Sequence, residues 1–247
     1  MTMTEVKRIA FDAIDSTNTY SKEMDGAVYD APGGGSRPVL VTAVEQIAGR
    51  GRYGRSFHSP RGTGIYMTYS FRPAFPQTDS ARTTLVTAAV VHQVLSRHTD
   101  DALTIKWVND IYRRGRKLVG ILVEGVPAVP GEEPASRSQT VPGGGTAAAS
   151  NATNAATADP GAAPFDRLVI GIGANLYPAP VPPDLADKVG FLFDAAPEAA
   201  AAAEQVREAI IDEIAAGLTE AFFRDPYDPS GYIDYYKQHC FNYPDNI

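Results

Sequence analysis

The segment Gly49-Arg50-Gly51-Arg52-Tyr53-Gly54-Arg55 stands out because three glycines and three arginines alternate directly after a predicted strand. Glycine lets a backbone approach a ligand closely, and the arginine guanidinium carries a fork of donors that suits phosphate or carboxylate. The segment is neither a GxxxxGK[ST] phosphate loop nor a dinucleotide-binding fingerprint, since no helix follows it. We therefore predict a loop that folds around an anion. An RGG-type nucleic-acid-binding tail is the alternative, which the acidic chain and the internal position of the motif disfavour.

A second candidate segment is Lys106-Trp107-Val108-Asn109-Asp110, which ends a predicted strand. A lysine in this position supplies a point charge for an anionic ligand, and the Asn-Asp pair can turn the chain. Most lysines at strand ends are solvated surface residues, so this pentapeptide alone leaves both interpretations open.

Glycines also interrupt two apolar segments, residues 116–124 and 169–176, which contain Gly120, Gly171 and Gly173. Glycine weakens a strand, and one reason for its presence is that a ligand or another backbone passes close by. Simple packing between strands explains either segment equally well.

Composition limits the classes of function. The 247 residues include 29 acidic and 22 basic side chains, for a formal charge of −7, which argues against a chain that coats nucleic acid or an anionic membrane. One cysteine, Cys240, and four scattered histidines give no metal-binding spacing, so we predict no protein metal site. We find no signal peptide and no apolar run of membrane-spanning length, and we expect a cytoplasmic protein.

The elements that must position these residues follow from hydrophobic periodicity. β-Rich runs predict strands at residues 39–44, 64–71, 103–107, 118–124 and 168–173. Apolar residues at helical spacing and good N-cap residues predict helices at residues 17–24, 80–98 and 198–224. These elements define an α+β fold, with a central mixed β-sheet flanked by helices.

Two segments lack the composition of a folded core. Residues 126–166 consist mainly of Ala, Gly, Pro, Ser and Thr, and we predict a disordered insertion there. Residues 31–38 contain three consecutive glycines and predict a surface loop.

Taken in order, the motifs resemble the catalytic domain of biotin protein ligases. The resemblance rests on Asp15-Ser16-Thr17-Asn18, on Glu45-Gln46 before the arginine-glycine loop, on residues 106–110 and 117–124, and on residues 171–175. It implies the biotin/lipoate ligase catalytic fold, which is similar to that of class II synthetases. It also implies ATP-dependent formation of biotinyl-5′-AMP and transfer of biotin to one lysine of a carboxylase carrier domain. A lipoate-type ligase and a truncated biotin- or biotinyl-AMP-binding protein with weak transfer are the alternatives.

The same resemblance assigns roles to individual residues. Lys106 is expected to contact the biotin carboxylate and the α-phosphate, with Arg50 and Arg52 as the other catalytic cations. Expected biotin-binding residues are Ser16, Thr17, Asn18, Gln46, Arg50, Gly51, Arg52, Lys106 and Gly120. Expected ATP- or adenylate-binding residues are Arg52, Arg55, Phe57, Asn109 and Asn175. Mg²⁺ is expected on the triphosphate, without a dedicated set of protein ligands.

Three departures from the family pattern are visible. Phe57 stands where the family usually has tryptophan, and Val108 stands where it usually has proline. The chain is expected to be a single domain, residues 1–247, without the family's small C-terminal β-barrel. It is also expected to lack the DNA-binding domain of repressor-type members, to bind no DNA, and to be a monomer or a weak homodimer.

Overall fold

In the part of the chain that the structure describes, seven strands form one mixed sheet in the order β1-β2-β3-β7-β6-β5-β4. The computed structural model describes residues 5–32, 36–73, 80–127, 165–224 and 227–244. The strands are β1 (Lys7–Ile14), β2 (Val39–Gln46), β3 (Gly64–Phe71), β4 (Leu103–Lys106), β5 (Asp110–Arg113), β6 (Arg116–Pro127) and β7 (Phe165–Asn175). Strands β1 and β2 pair in parallel, and the other neighbours pair antiparallel.

Within the described ranges, four α-helices pack on this sheet, and they confirm the predicted α+β class. They are α1 (Thr17–Glu23), α2 (Ser80–Ser96), α3 (Ala200–Phe223) and α4 (Ser230–His239). The main core lies between the sheet and the helices α2 and α3, where residues such as Leu95, Ile210, Ile214 and Leu218 are fully buried. No helix in the described ranges is long and apolar enough to cross a membrane.

Strand β3 lies inside the sheet and is covered on both faces. Its residues Ile65, Met67, Tyr69 and Phe71 occupy alternate positions, as in a strand with one apolar side, but all eight residues of the strand are buried. The reason is that helices cover both surfaces: the Thr68 hydroxyl reaches Asn18 of α1 at 2.7 Å, and the Tyr69 hydroxyl lies 2.9 Å from Thr219 of α3.

Three elements have no counterpart among the predicted ones, namely β1, β5 and α4. Strand β1 is an edge strand in which half-buried and exposed residues alternate from Lys7 to Asp12 and no residue is fully buried. Strand β5 has four residues, and α4 buries one side chain, Tyr236. Short or edge elements bury little surface, so their hydrophobic pattern is weak.

The predicted insertion, residues 126–166, includes two residues too many at each end. Strand β6 continues to Pro127 and β7 begins at Phe165, because Val126 pairs with Arg167 and Pro127 pairs with Phe165 in the ladder between them. Backbone pairing of this kind needs no apolar side chain. The rest of the predicted insertion, residues 128–164, and residues 33–35 of the predicted surface loop lie outside the described residues.

Because the chain leaves and re-enters the sheet at paired residues, we expect residues 128–164 to be dispensable for folding. Their replacement by Asn-Gly, which favours a two-residue hairpin turn, should leave the melting temperature within about 3 °C of the parent value. Thermal unfolding followed by circular dichroism measures the effect. A loss of a cooperative transition would contradict the prediction.

Candidate active site

One pocket opens on the face of the sheet that carries α1. It is lined by the start of α1, the end of β2, the arginine-glycine segment and the central parts of β6 and β7. Among the residues expected from the sequence, eleven line it: Ser16, Thr17, Asn18, Gln46, Arg50, Gly51, Arg52, Arg55, Phe57, Asn109 and Gly120. The structure therefore gathers residues that are far apart in the chain at one site.

The arginine-glycine segment forms a narrow hairpin over the pocket. The backbone N–H of Phe57 donates to the carbonyl of Gly49 at 2.8 Å, and the N–H of Gly51 donates to the carbonyl of Arg55 at 2.7 Å. Both residues at the tip, Tyr53 and Gly54, have positive φ, 56° and 72°. Positive φ at both central residues is typical of a tight type I′ turn, which explains the glycine at position 54.

Arg52 links this hairpin to the turn between β4 and β5. Its Nη1 donates to Oδ1 of Asn109 at 3.0 Å, while Nδ2 of Asn109 donates to the carbonyl of Ile121 on β6 at 2.7 Å. Its Nη2 also donates to the Tyr53 hydroxyl at 2.9 Å. These contacts hold a guanidinium at the edge of the pocket.

The opposite end of the pocket is neutral and rich in hydrogen-bonding groups. Ser16 caps α1, and its hydroxyl accepts the N–H of Thr19. Oε1 of Gln46 accepts from the backbone N–H and the hydroxyl of Thr17, at 2.9 and 3.1 Å, while its Nε2 donates to the Ser59 hydroxyl at 3.0 Å. The amide of Gln46 is therefore held in one orientation, because an exchange of its atoms would set the nitrogen against the Thr17 N–H and the oxygen against a Ser59 hydroxyl that already donates to the Phe57 carbonyl.

The floor of the pocket is a stretch of sheet without side chains. A Cβ at Gly171 would lie 2.1 Å from Oδ1 of Asn18, and a Cβ at Gly173 would lie 2.5 Å from the ring of Phe57. Gly173 is the register partner of Gly120 on β6. Close approach of other groups to the backbone therefore explains glycine at these positions, and strand packing alone does not.

Lys117 also lines the pocket, although the sequence-based assignment gave it no role. Its Nζ lies 2.7 Å from Oδ1 of Asp110, and both side chains are partly shielded from solvent. On a strand with regular alternation, Lys117 and Gly120 would lie on opposite faces of the sheet. The ladder between β5 and β6 is irregular here, since Ile111 pairs with Val119 and Tyr112 pairs with Lys117, so one residue of β6 is extra. This bulge brings the lysine to the pocket.

Two residues expected in the site do not line it. Lys106 lies on the edge strand β4, is exposed, and its Nζ packs 5.3 Å from the ring centre of Tyr112. Asn175 is the last residue of β7 and pairs with Gly64, beyond the pocket. The predicted placement of both residues is therefore corrected: the pocket's lysine is Lys117.

A half-buried carboxylate, that of Glu124, lies behind the neutral end. Burial alone would raise the pKa of Glu124, but hydrogen bonds from Lys22 and Asn18 and the charges of Lys22 and Arg50 outweigh this effect and lower the pKa below its usual value. Glu124 is thus ionised at neutral pH and acts as an acceptor only.

The pocket thus joins a neutral polar end to a cationic end on one face of the mixed sheet. The model of the biotin/lipoate A/B protein ligase family matches residues 10–133, half of the chain. The chain belongs to this family.

Individual relatives agree with the assignment. Over 113 residues the chain is 41% identical to the bifunctional ligase/repressor BirA of Bacillus spizizenii, a match that covers 46% of this chain and 33% of that protein. Over 153 residues it is 35% identical to the biotin–[acetyl-CoA-carboxylase] ligase of Paracoccus denitrificans, which covers 61% of this chain and 58% of that protein. The chain thus spans less than two thirds of the length of these relatives.

Solved structures share the fold. The biotin protein ligase of Leishmania major in complex with biotin aligns with a TM-score of 0.61 at 18% identity, over 98% of this chain and 84% of that one. The biotin protein ligase of Aquifex aeolicus in complex with biotin and ATP aligns with a TM-score of 0.57 at 21% identity, over 92% and 76% of the two chains.

The contact between Gly171 and Asn18 gives a test of the pocket's construction. Gly171→Ala forces a methyl group against Oδ1 of Asn18, and we expect the free energy of unfolding to fall by about 1–3 kcal/mol, as for other overpacked sites. Chemical denaturation of the parent and variant proteins measures this difference in the free energy of unfolding.

Gly231→Ala is the matched control, because a Cβ at Gly231 in α4 meets no atom within 4 Å. It should leave stability unchanged or raise it slightly. Equal effects of the two substitutions would contradict the close approach.

Proposed function

We propose that this chain is a biotin protein ligase, which joins biotin to ATP as biotinyl-5′-AMP and transfers the biotinyl group to a lysine of a biotin carboxyl carrier domain. The observation that carries the proposal is the polarity of the pocket, with Thr17, Asn18 and Gln46 at one end and Arg52 and Lys117 at the other. Biotin has the same polarity, since a neutral urea lies at one end and a carboxylate at the other. The names of the matched relatives support this reading.

The neutral end suits a urea. A neutral ligand with both N–H donors and a carbonyl acceptor needs fixed partners of both kinds. The hydroxyl oxygens of Ser16 and Thr17 can accept from the N–H groups, and the amides of Asn18 and Gln46 can donate to the carbonyl. Their orientations are set by protein hydrogen bonds, so little reorganisation is required when a ligand enters.

The cationic end suits the first chemical step. An oxygen of the biotin carboxylate attacks the α-phosphorus of ATP, and the bond to the departing pyrophosphate breaks. Both partners are anionic, so cations must reduce their repulsion as negative charge builds up. We assign this role to Lys117, with Arg50 and Arg52 closing over the acyl-adenylate. Asp110 holds Lys117 in position at 2.7 Å.

The second step needs no nucleophile from this chain. The neutral amine of the acceptor lysine attacks the acyl carbon of biotinyl-5′-AMP, an amide bond forms, and AMP leaves. The hairpin 49–57 would shield the mixed anhydride from water until the acceptor arrives.

Mg²⁺ would bind together with ATP, on its triphosphate, and would neutralise part of the phosphate charge. Among the described residues, no group of three or more His, Cys, Asp or Glu side chains is arranged to hold a metal ion. Magnesium commonly binds through one or two carboxylates and substrate phosphates, and Asp110 is the carboxylate that lines the pocket.

We further propose that the described residues act as one catalytic domain and that the acceptor is a carrier domain of a biotin-dependent carboxylase. The lipoate-type alternative has no specific observation in its favour. A binding protein with weak transfer would share the pocket, so transfer must be measured directly.

The direct experiment incubates the purified chain with ATP, Mg²⁺, biotin and a carrier domain, and follows pyrophosphate release and biotin on the carrier lysine. We expect both signals, and no signal with lipoate. Pyrophosphate release without biotin on the carrier would mean that the chain forms the adenylate but does not transfer biotin, and it would refute the transfer step. Absence of both signals would refute it.

Substitution of the two lysines separates the assignments. Lys117→Met should lower pyrophosphate release by about 100-fold or more, because a preorganised cation is removed from the reacting charges. Lys106→Met removes the same charge outside the pocket and should change the rate by less than about threefold. The reverse pattern would restore Lys106 as the reacting lysine.

A further inference from the structure

Glu124 of β6 holds two residues of α1 at once. Its Oε2 accepts from Nδ2 of Asn18 at 3.1 Å, and its Oε1 accepts from Nζ of Lys22 at 2.7 Å. Asn18 and Lys22 are four residues apart, so they lie on the same face of the helix, one turn from each other. One carboxylate therefore uses each of its oxygens to fix a different side chain.

The other end of the Asn18 amide is fixed as well. Its Oδ1 accepts from the Thr68 hydroxyl at 2.7 Å and lies against the backbone of Gly171. Asn18 is 5% exposed and lines the pocket. Since the carbonyl is covered by the sheet and one amide hydrogen is taken by Glu124, the second amide hydrogen is the group that Asn18 has left for a ligand.

We propose that Glu124, paired with Lys22, is a positioning residue that makes Asn18 present a hydrogen-bond donor to the ligand. The inference rests on the proposed function, in which the urea of biotin lies at this end of the pocket. A carboxylate can only accept hydrogen bonds, so it excludes the flipped amide, in which Oδ1 would face Glu124.

The consequence is selectivity for a ligand with an acceptor at this point. Biotin carries a urea oxygen there. In 2-iminobiotin a nitrogen that carries hydrogen replaces this oxygen, and it would meet the donor of Asn18. A site built to hydrogen-bond one group discriminates strongly against an analogue that cannot supply it.

The experiment measures the dissociation constants of biotin and 2-iminobiotin by calorimetry in the whole chain. The parent protein should prefer biotin. In Glu124→Gln, Lys22 still attracts the amide oxygen of the new side chain, so its nitrogen turns to Asn18 and favours the flipped amide. We expect the preference for biotin to fall by about tenfold or more.

The double variant Lys22→Met/Glu124→Gln provides the rescue. Without the lysine, the glutamine oxygen is free to accept from Asn18, and the preference should return to within about threefold of the parent value. Glu213→Gln is the matched control, because Glu213 also accepts from two side chains, Arg97 and His98, but does so away from the pocket. This control should leave the preference unchanged.

Three results would overturn the inference: an unchanged preference in Glu124→Gln, equal losses of affinity for both ligands, or a double variant no better than the single one. A merely structural role predicts the second of these. Failure of the parent protein to bind biotin would instead refute the proposed function, and this inference with it.

Discussion

The start of α1 lies directly on the backbone of β7, and the neutral end of the pocket depends on this close approach. Glycine at position 171 leaves the space that the Asn18 carbonyl occupies, and a side chain there would displace the amide. Thr68 of β3 and Glu124 of β6 then fix the two ends of that amide from neighbouring strands. One missing side chain thus allows three strands and a helix to meet at a single hydrogen-bonding group.

Electrostatics divides the pocket into two ends with different tasks. The chain as a whole carries a charge of −7, yet the hairpin and β6 bring several cations together around a single cleft. Several of these cations already have partners: Arg52 contacts Asn109 and Tyr53, and Lys117 contacts Asp110. Side chains that are held before the ligand arrives lose less conformational entropy on binding, which favours recognition of a small anion.

Much of the fold and part of the site could be predicted from the sequence. Long buried elements such as β3, α2 and α3 have strong periodicity, and the motif residues of the hairpin and α1 do converge on one pocket. Lys117 could not be found in this way, because a bulge reverses the alternation of β6 at that point. The sequence also does not show that Lys106 lies outside the pocket, because the position of a lysine at the end of an edge strand does not reveal which neighbour its side chain contacts.

In the proposed function, the pocket binds biotin in one orientation, with the urea at α1 and the carboxylate at the cationic end. A crystal structure of the chain with bound biotin tests it most directly. We expect urea contacts to Asn18 and Gln46 and a carboxylate oxygen within hydrogen-bonding distance of Lys117. A carboxylate beside α1, or a ligand bound near Lys106 outside the pocket, would contradict it.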